Sequence, residues 1–294
     1  MTPLGIGAAG RIGLGTAPLA FKDVTAQQAI ATIHTALDHG VRLIDTAAAY
    51  TRAGIDAYAE TVVAKALAQR SDRADVLVAT KGGHRRAGDD FPVDASPAAL
   101  RADCDRSLRA LGVDRIGLYQ LHHVDPRVPL VDSIGALLDL RSAGKIAEIG
   151  LSNVSIAQID QARGLAPIAS VQNRLSLAER ADLPTARHCA DLGIAYLAYQ
   201  PLGGSGARPV DVHVASAAER HGVSTEQVWL AWLLAQGEHI VALVGSSRPA
   251  TIVDSARAAE LALTPAELGC TVSTPLDRAS FPPLSAADAG HDLY

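Results

Sequence analysis

The feature of this sequence that most constrains its fold is a regular alternation between short apolar runs and longer stretches of helical character. The runs are rich in Val, Ile and Leu and are apolar on both faces, as strands covered by helices are. Strands that alternate strictly with helices form a parallel sheet through right-handed crossovers. Eight runs are predicted strands, at residues 11–16, 41–45, 75–81, 115–122, 146–152, 168–173, 194–199 and 240–245.

Capping residues indicate where the helices between these strands begin and end. Asp23 or Thr25 can cap a helix that ends near Gly40, because glycine suits the left-handed conformation at a helix terminus. Ser96 and Pro97 place a cap and then a proline at the first helical position, and this helix is predicted to run to Gly112. Further helices are predicted within residues 131–144, 155–164, 182–193 and 224–237.

Eight strand–helix units in 294 residues match the number and size of a closed (β/α)8 barrel, or TIM barrel, which is an α/β fold. No Pro/Ser-rich linker or block of charge divides the chain, so a single domain is expected over residues 1–294. Residues 1–10 would lead into the barrel, and residues 274–294 would form a C-terminal tail. The chemistry of such barrels lies at the C-terminal ends of the strands.

Composition and charge exclude several classes of protein. The 26 Lys+Arg against 31 Asp+Glu give a net charge of −5, which provides no footprint for nucleic acid or an anionic membrane. No stretch approaches the roughly 20 apolar residues of a membrane helix, and Arg11 interrupts an N-terminus that lacks the basic start of a signal peptide. The three cysteines form neither a disulfide framework nor a CxxC pair. A soluble cytoplasmic protein is therefore expected.

Seven of the eight predicted strands lead into a polar or ionisable residue. A single polar residue at a strand end is common and usually structural, but the joint pattern predicts that side chains converge on one rim of the barrel. The residues are Asp45, Lys81, His122, Ser152 with Asn153, Gln172 with Asn173, Tyr199 and Ser246.

Lys81 is the most informative of these residues, because only four of the 26 basic residues are lysines. An unpaired buried ammonium costs several kcal/mol, and Asp45 at the end of the adjacent strand is its natural partner; a purely structural ion pair is the alternative. Tyr50, in the loop after Asp45, can lean over the barrel mouth, where a neighbouring cation lowers the pKa of a phenol. Such a phenol is a general acid, and His122 would supply a second hydrogen-bond donor to a substrate oxygen.

Seven motifs, in order along the chain, resemble those of the aldo-keto reductases. The resemblance covers residues 11–261, nearly the whole chain. The motifs are GLGTA at 13–17, IDTAAAY at 44–50, ATKG at 79–82, LH at 121–122, IGLSN at 149–153, VQN at 171–173 and YQPLG at 199–203.

The resemblance implies an NADPH-dependent oxidoreductase that reversibly reduces an aldehyde or ketone to an alcohol. Tyr50 would donate the proton and Lys81 would lower the pKa of Tyr50. Asp45 would hold Lys81, and His122 would orient and polarise the carbonyl.

The same resemblance implies a binding site for NADP(H), in preference to NAD(H). Ser152, Asn153 and Gln172 would hold the nicotinamide carboxamide, and Tyr199 would stack on the ring. Ser246 and Arg248 can bind a 2′-phosphate, whereas Thr251, Asp254 and Ser255 differ from the residues usual in the family. Further cofactor positions are Thr16, Ala17, Pro201, Leu202, Gly203, Gly245 and Asp254.

Two other functions compete with carbonyl reduction. A non-catalytic nicotinamide-binding regulatory barrel is disfavoured because all four catalytic positions are intact. A metal-dependent hydrolase is disfavoured, and no metal site is predicted, because His122 and His123 are adjacent and adjacent strand residues point to opposite faces. The GxGxxG of residues 5–10 has no strand before it, which argues against a Rossmann nucleotide site.

The substrate is a small-molecule carbonyl compound whose identity the motifs leave open. Residues 150–203 look most like bacterial reductases of the pyridoxal-reductase-like branch, so pyridoxal stands beside small aldehydes, sugar lactols and secondary-metabolic ketones. Arg85 and Arg86 hint at an anionic substrate, or else lie in a solvated loop. The family resemblance implies a monomer. Trp229, Trp232, Cys104 and Cys189 are predicted to pack in the core.

Overall fold

The computed structural model describes residues 10–52, 55–87, 90–204 and 211–270. Residues 1–9 of the predicted N-terminal lead-in lie outside these ranges, and so do the first two glycines of the GxGxxG motif. The whole predicted tail of residues 274–294 also lies outside them.

Eight parallel strands close into a barrel in sequence order, which confirms the predicted fold. Each strand pairs with the next, and β8 pairs with β1 through a register that joins Gly15 to Gly245. The strands are β1 (Ile12–Gly15), β2 (Leu43–Asp45), β3 (Leu77–Gly82), β4 (Ile116–Leu121), β5 (Ile146–Ser152), β6 (Ile168–Arg174), β7 (Ala195–Tyr199) and β8 (Ile240–Gly245).

Helices cover the outside of the barrel. Short 3-10 turns at Arg73–Asp75 and Arg257–Glu260 add to them. The helices are α1 (Ala17–Phe21), α2 (Ala26–Asp38), α3 (Tyr58–Ala68), α4 (Pro97–Leu111), α5 (Leu130–Ser142), α6 (Ile156–Arg163), α7 (Leu183–Asp191), α8 (Val212–His221), α9 (Thr225–Leu234), α10 (Pro249–Ala256) and α11 (Pro265–Cys270).

The capping residues chosen from the sequence begin their helices as predicted. The Thr25 side chain accepts a hydrogen bond from the Gln28 backbone at the start of α2. The Ser96 side chain caps α4, and Gly112 ends that helix in the left-handed conformation at φ 65°. These side chains satisfy backbone groups that have no partner within the helix.

Alternation along each strand divides the apolar side chains into two cores. One core lies inside the barrel, and it consists of Leu43, Ala79, Leu118, Ala195, Leu197, Val241 and Leu243, with Leu77 packed against them. The larger core lies between the strands and the surrounding helices, where outward-facing residues such as Ile44, Tyr119 and Val171 pack. Trp229, Trp232, Cys104 and Cys189 are buried, as predicted.

The inside of the barrel changes from apolar to polar toward the C-terminal ends of the strands. Two residues beyond Leu43 and Ala79, on the same inward faces, are Asp45 and Lys81. Gln120 follows Leu118 in the same way. Inside the barrel, the apolar layer therefore packs directly beneath this polar layer. No helix in the described part of the chain is long and apolar enough to cross a membrane.

Candidate active site

Asp45 and Lys81 meet because β2 and β3 are neighbours and both side chains point into the barrel. Lys81 Nζ lies 2.6 Å from Asp45 Oδ2, and both side chains are almost fully buried. The pair is the one expected from the sequence. Burial lowers the pKa of Lys81, and the charge of Asp45 opposes that shift.

The ammonium of Lys81 has three hydrogen-bond acceptors. Besides Asp45, it donates to the Thr46 carbonyl oxygen at 2.9 Å and to Tyr50 Oη at 3.4 Å. An ammonium carries three protons, so these acceptors satisfy it completely. Because the oxygen of Tyr50 accepts from Lys81, the phenolic proton points away from the lysine.

Tyr50 is a buried phenol at the floor of a cleft. Its ring packs edge-on against Phe21, with centroids 5.6 Å apart, and against His122 at 6.2 Å. Burial and the negative charge of Asp45 raise the pKa of Tyr50 well above its ordinary value. The net pKa of Tyr50 is therefore raised, because loss of hydration disfavours the phenolate, and the lowering by Lys81 stays a prediction.

His122 follows β4 and is buried beside Tyr50. Its backbone N–H donates to the Gly82 carbonyl at 3.0 Å, and its carbonyl accepts from Asn153 Nδ2 at 3.0 Å. Burial lowers the pKa of His122 well below its ordinary value, and the charge of Lys81 adds to this effect. The imidazole is neutral at neutral pH, and one of its two nitrogens carries a proton that it can donate.

A second set of polar groups extends the site across β5, β6 and β7. Gln172 Nε2 donates to Asp45 Oδ1 at 2.8 Å, while Ser152 Oγ donates to the backbone carbonyl oxygen of Gln172 at 2.9 Å. Tyr199 Oη donates to Asn153 Oδ1 at 2.8 Å. Asn153 adopts the left-handed conformation at φ 56°, which asparagine tolerates better than most residues. The network fixes these side chains before any ligand binds.

Most of the predicted site residues line one cleft with a volume of about 360 Å³. Lys81 lies beneath the cleft and reaches it through Tyr50. The lining residues that were predicted are Asp45, Tyr50, His122, Ser152, Asn153, Gln172, Tyr199, Ala17, Pro201, Leu202 and Gly245.

Two predicted cofactor residues instead have contacts within the protein. Thr16 is buried, and its backbone N–H and Oγ1 both donate to the Asp45 carbonyl, so it holds the end of β2. Asp254 accepts hydrogen bonds from Ser224 Oγ and Gln227 Nε2, each at 2.7 Å. These bonds join α10 to α9, and they give no support to a cofactor role for Asp254.

The predicted phosphate residues lie just after β8. Ser246 is buried and its Oγ bonds the backbone of Arg248, whereas Arg248 is exposed at the start of α10. Gly203 follows β7 in a turn with φ 81°, next to the ring of Trp229. None of these three residues is among those that line the cleft in the described part of the chain.

Several residues at the site did not stand out in the sequence. Gln120 Nε2 donates to Asp45 Oδ1 at 3.3 Å, from the inward face of β4. Gln120 lies inside an apolar run, and only the alternation Leu118, Gln120, His122 indicates that it points inward. The cleft is also lined by Gly15, Pro18, Lys22, His123, Gln200, Gly204, Leu243, Val244 and Thr251.

The geometric argument against a shared metal ion at His122 and His123 is wrong. It assumed that both residues lie on a strand, but β4 ends at Leu121. Beyond the strand the two rings stack, with centroids 5.3 Å apart and an angle of 24° between their planes. Alternation no longer governs side-chain direction there.

Comparisons with known proteins identify the family. The Aldo/keto reductase family model matches residues 11–271. Probable aldo-keto reductase 1 of Glycine max is 32% identical in an alignment 279 positions long, which covers 84% of this chain and 78% of that protein. An uncharacterized oxidoreductase of Schizosaccharomyces pombe is 30% identical over 237 residues, which are 80% of this chain and 75% of its own.

A solved structure agrees with the sequence comparisons. The aldo/keto reductase from Klebsiella pneumoniae, in complex with NADP and acetate, superposes with a TM-score of 0.76 at 27% identity. The superposition covers 94% of this chain and 93% of that one. Family model, relatives and barrel all agree with the motifs in the sequence: the chain belongs to the aldo/keto reductase family.

Proposed function

We propose that this aldo-keto reductase reduces an aldehyde or ketone to an alcohol with NADPH, and that Tyr50 donates the proton. The observation that carries the proposal is the hydrogen bond from Lys81 Nζ to Tyr50 Oη at the base of a cleft. Membership of the aldo/keto reductase family and the NADP-bound Klebsiella pneumoniae structure support it.

The cleft offers groups that fit a nicotinamide. Gln172 gives its amide N–H to Asp45, so its Oε1 is left to accept from a carboxamide NH₂. The hydroxyl of Tyr199 is held by Asn153, which fixes the ring as a flat wall of the cleft. NADPH bound against these residues would supply the hydride.

The chain's own residues would control the oxygen of the carbonyl. The Tyr50 proton points away from Lys81, and the raised pKa keeps it on the phenol at neutral pH. A neutral His122 can donate a second hydrogen bond to the same oxygen. As negative charge develops on that oxygen, Tyr50 transfers its proton and Lys81 stabilises the phenolate that remains.

Cationic groups near the cleft favour a phosphorylated cofactor. Lys22 lines the cleft, and Arg248 is exposed where α10 begins, beside backbone N–H groups that can bind an anion. We propose that Ser246 and Arg248 hold the 2′-phosphate of NADPH. Replacing Arg248 by Ala should then weaken NADPH binding far more than NADH binding, as measured by fluorescence titration. Equal affinities in the variant and parent for both cofactors would contradict this assignment.

Pyridoxal is one candidate substrate, on the likeness of residues 150–203 to the pyridoxal-reductase-like branch. Small aldehydes, sugar lactols and ketones are the alternatives. We also propose that the protein is bacterial, cytoplasmic and monomeric. Its domain organisation is proposed to be a single domain, with a lead-in at residues 1–10 and a tail at 274–294. The regulatory alternative is disfavoured because Asp45, Tyr50, Lys81 and His122 are brought together.

A binding and turnover assay tests this proposal. NADPH should quench the fluorescence of the two tryptophans or shift the cofactor absorbance, and aldehydes, including pyridoxal, should then oxidise bound NADPH. Binding without turnover of any aldehyde or ketone would favour the regulatory barrel. A chain that does not bind NADPH at all would contradict both readings.

A further inference from the structure

Three imidazoles cluster at the edge of the cleft, and the carbonyl chemistry uses only one of them. His84, in the loop after β3, lies with its ring centroid 4.8 Å from those of both His122 and His123. One ring nitrogen of each residue lies within 4.8 Å of a nitrogen of the other two. His84 and His122 are buried, and His123 is partly buried.

The hydrogen bond of His84 fixes which of its nitrogens is free. His84 Nε2 lies 2.5 Å from the Phe91 carbonyl oxygen, which can only accept, so Nε2 carries the proton. His84 Nδ1 therefore has a lone pair, and it is buried without a hydrogen-bond partner among the described residues. An N–H donated to a backbone carbonyl is the arrangement that orients metal-binding histidines.

The other two histidines can also supply a nitrogen. His122 Nδ1 is likewise buried with no partner in the described part of the chain. His123 Nε2 accepts from Asn153 Nδ2 at 3.2 Å, the longest of three contacts of that amide nitrogen. Asn153 can keep its bonds to the His122 carbonyl and Ser152 if His123 turns away.

We propose that His84, His122 and His123 bind one divalent transition-metal ion of the zinc class, with a fourth coordination position open toward the cleft. Three imidazoles and an open position form a ligand set typical of zinc. Zn–N bonds of about 2.1 Å place tetrahedral nitrogens roughly 3.4 Å apart, so the rings must rotate closer together. Rotation of the His122 ring onto the ion would move its remaining N–H away from the carbonyl oxygen and inhibit reduction.

Metal binding by this triad does not depend on the proposed reductase function, whereas the inhibition rests on it. The test therefore measures binding first, by titrating the full chain with zinc sulfate in a calorimeter and by recording the visible absorption of the Co²⁺ complex. The comparison is His84→Gln against His39→Gln, an exposed histidine at the end of α2. We expect one ion per chain for the parent and His39→Gln, and at least tenfold weaker binding for His84→Gln.

The Co²⁺ complex of the parent should show the intense visible absorption bands of four-coordinate Co²⁺, and His84→Gln should lack them. If circular dichroism shows that His84→Gln does not fold, His123→Gln provides the same comparison. A parent that binds no stoichiometric zinc, or a triad variant that binds it as tightly as the parent, would overturn the site. Zinc that binds at one ion per chain without slowing aldehyde reduction would overturn only the inhibition.

Discussion

At Tyr50, the structure separates two effects that act on the same proton. Lys81 donates to the phenolic oxygen, yet burial and the charge of Asp45 raise the phenol's pKa. The neutral phenol is therefore the resting state, and the lysine stabilises charge only after the proton has left. In the proposed mechanism, the neutral phenol of Tyr50 keeps its proton until negative charge develops on the substrate oxygen.

This charge state predicts how Tyr50 titrates. A pKa above the ordinary value of 10.0 means that no phenolate forms at Tyr50 as the pH rises from 6 to 10. The ultraviolet difference between the parent and Tyr50→Phe, followed through a pH titration without cofactor, should show no tyrosinate in that range. A phenolate signal that appears below pH 10 would show that Lys81 controls the pKa instead.

Two glutamines share the carboxylate of Asp45 but have different access to the cleft. Gln172 lines the cleft, whereas Gln120 lies below it. Gln172→Leu should weaken NADPH binding roughly threefold to tenfold, the loss expected for one hydrogen bond. Gln120→Leu removes a comparable bond to Asp45 and should leave NADPH affinity unchanged. Fluorescence titration of both variants checks this, and equal losses would contradict the role of Gln172.

Among the secondary-structure elements, Glu267 joins α11 to α8 through hydrogen bonds and an ion pair. Its carboxylate accepts from Arg220 at 2.9 Å and from the Thr264 backbone at 2.8 Å. The Thr264 N–H and the Arg220 guanidinium lower the pKa of Glu267 from 4.5 to about 2. The stabilisation is fully present above the unfolded pKa of 4.5 and is lost as the pH falls toward 2.

Glu267→Gln should therefore loosen the docking of α11 at neutral pH. Amide hydrogen exchange in α11 should become faster in this variant, and the loss of protection between pH 5 and 3 should be smaller than in the parent. Glu260→Gln, an exposed residue in the preceding turn, is the matched control and should exchange like the parent. Unchanged protection of α11 in Glu267→Gln would show that its apolar contacts alone hold it.

Elements whose sequence carries a local signal could be predicted, and those without one could not. The helix α4 was predicted from the Ser96 cap and from Gly112. The helix α3 was not predicted, because it begins after Ala57 in a left-handed conformation at φ 50° with no side-chain cap. The direction of the His123 side chain was misjudged for the same reason. It depends on where β4 ends, and the end of a strand carries no sharp signal in a continuous apolar run.

For the whole molecule, eight alternating units were enough to predict a closed barrel, because each unit adds one parallel strand and one covering helix. The strand ends likewise brought most of the predicted site residues to one cleft. What the sequence could not provide was the balance between burial and charge at Tyr50, since that depends on how tightly the cleft packs. The partners of Asp254 also depend on the docking of α9 against α10.

The two cores of the barrel should unfold as one unit. Leu118 is fully buried in the inner core, directly below Gln120. Leu118→Ala should lower the free energy of unfolding by about 2 to 5 kcal/mol, as a cavity in a packed core does. Val131→Ala, at an exposed site on α5, should change it by less than about 0.5 kcal/mol. Urea unfolding followed by fluorescence and circular dichroism checks both, and two separate transitions would contradict a single unit.

The central claim is that residues from several barrel strands position Tyr50 to donate the proton to the substrate oxygen. Single-turnover kinetics test this claim most directly. Parent, Tyr50→Phe and the control Tyr58→Phe would be mixed, each with saturating NADPH and an aldehyde, while NADPH absorbance is followed. Tyr50→Phe should bind NADPH normally and turn over about 10² to 10⁴ times more slowly, the contribution typical of a general acid, whereas Tyr58→Phe should match the parent. A Tyr50→Phe protein that oxidises NADPH as fast as the parent would contradict the account.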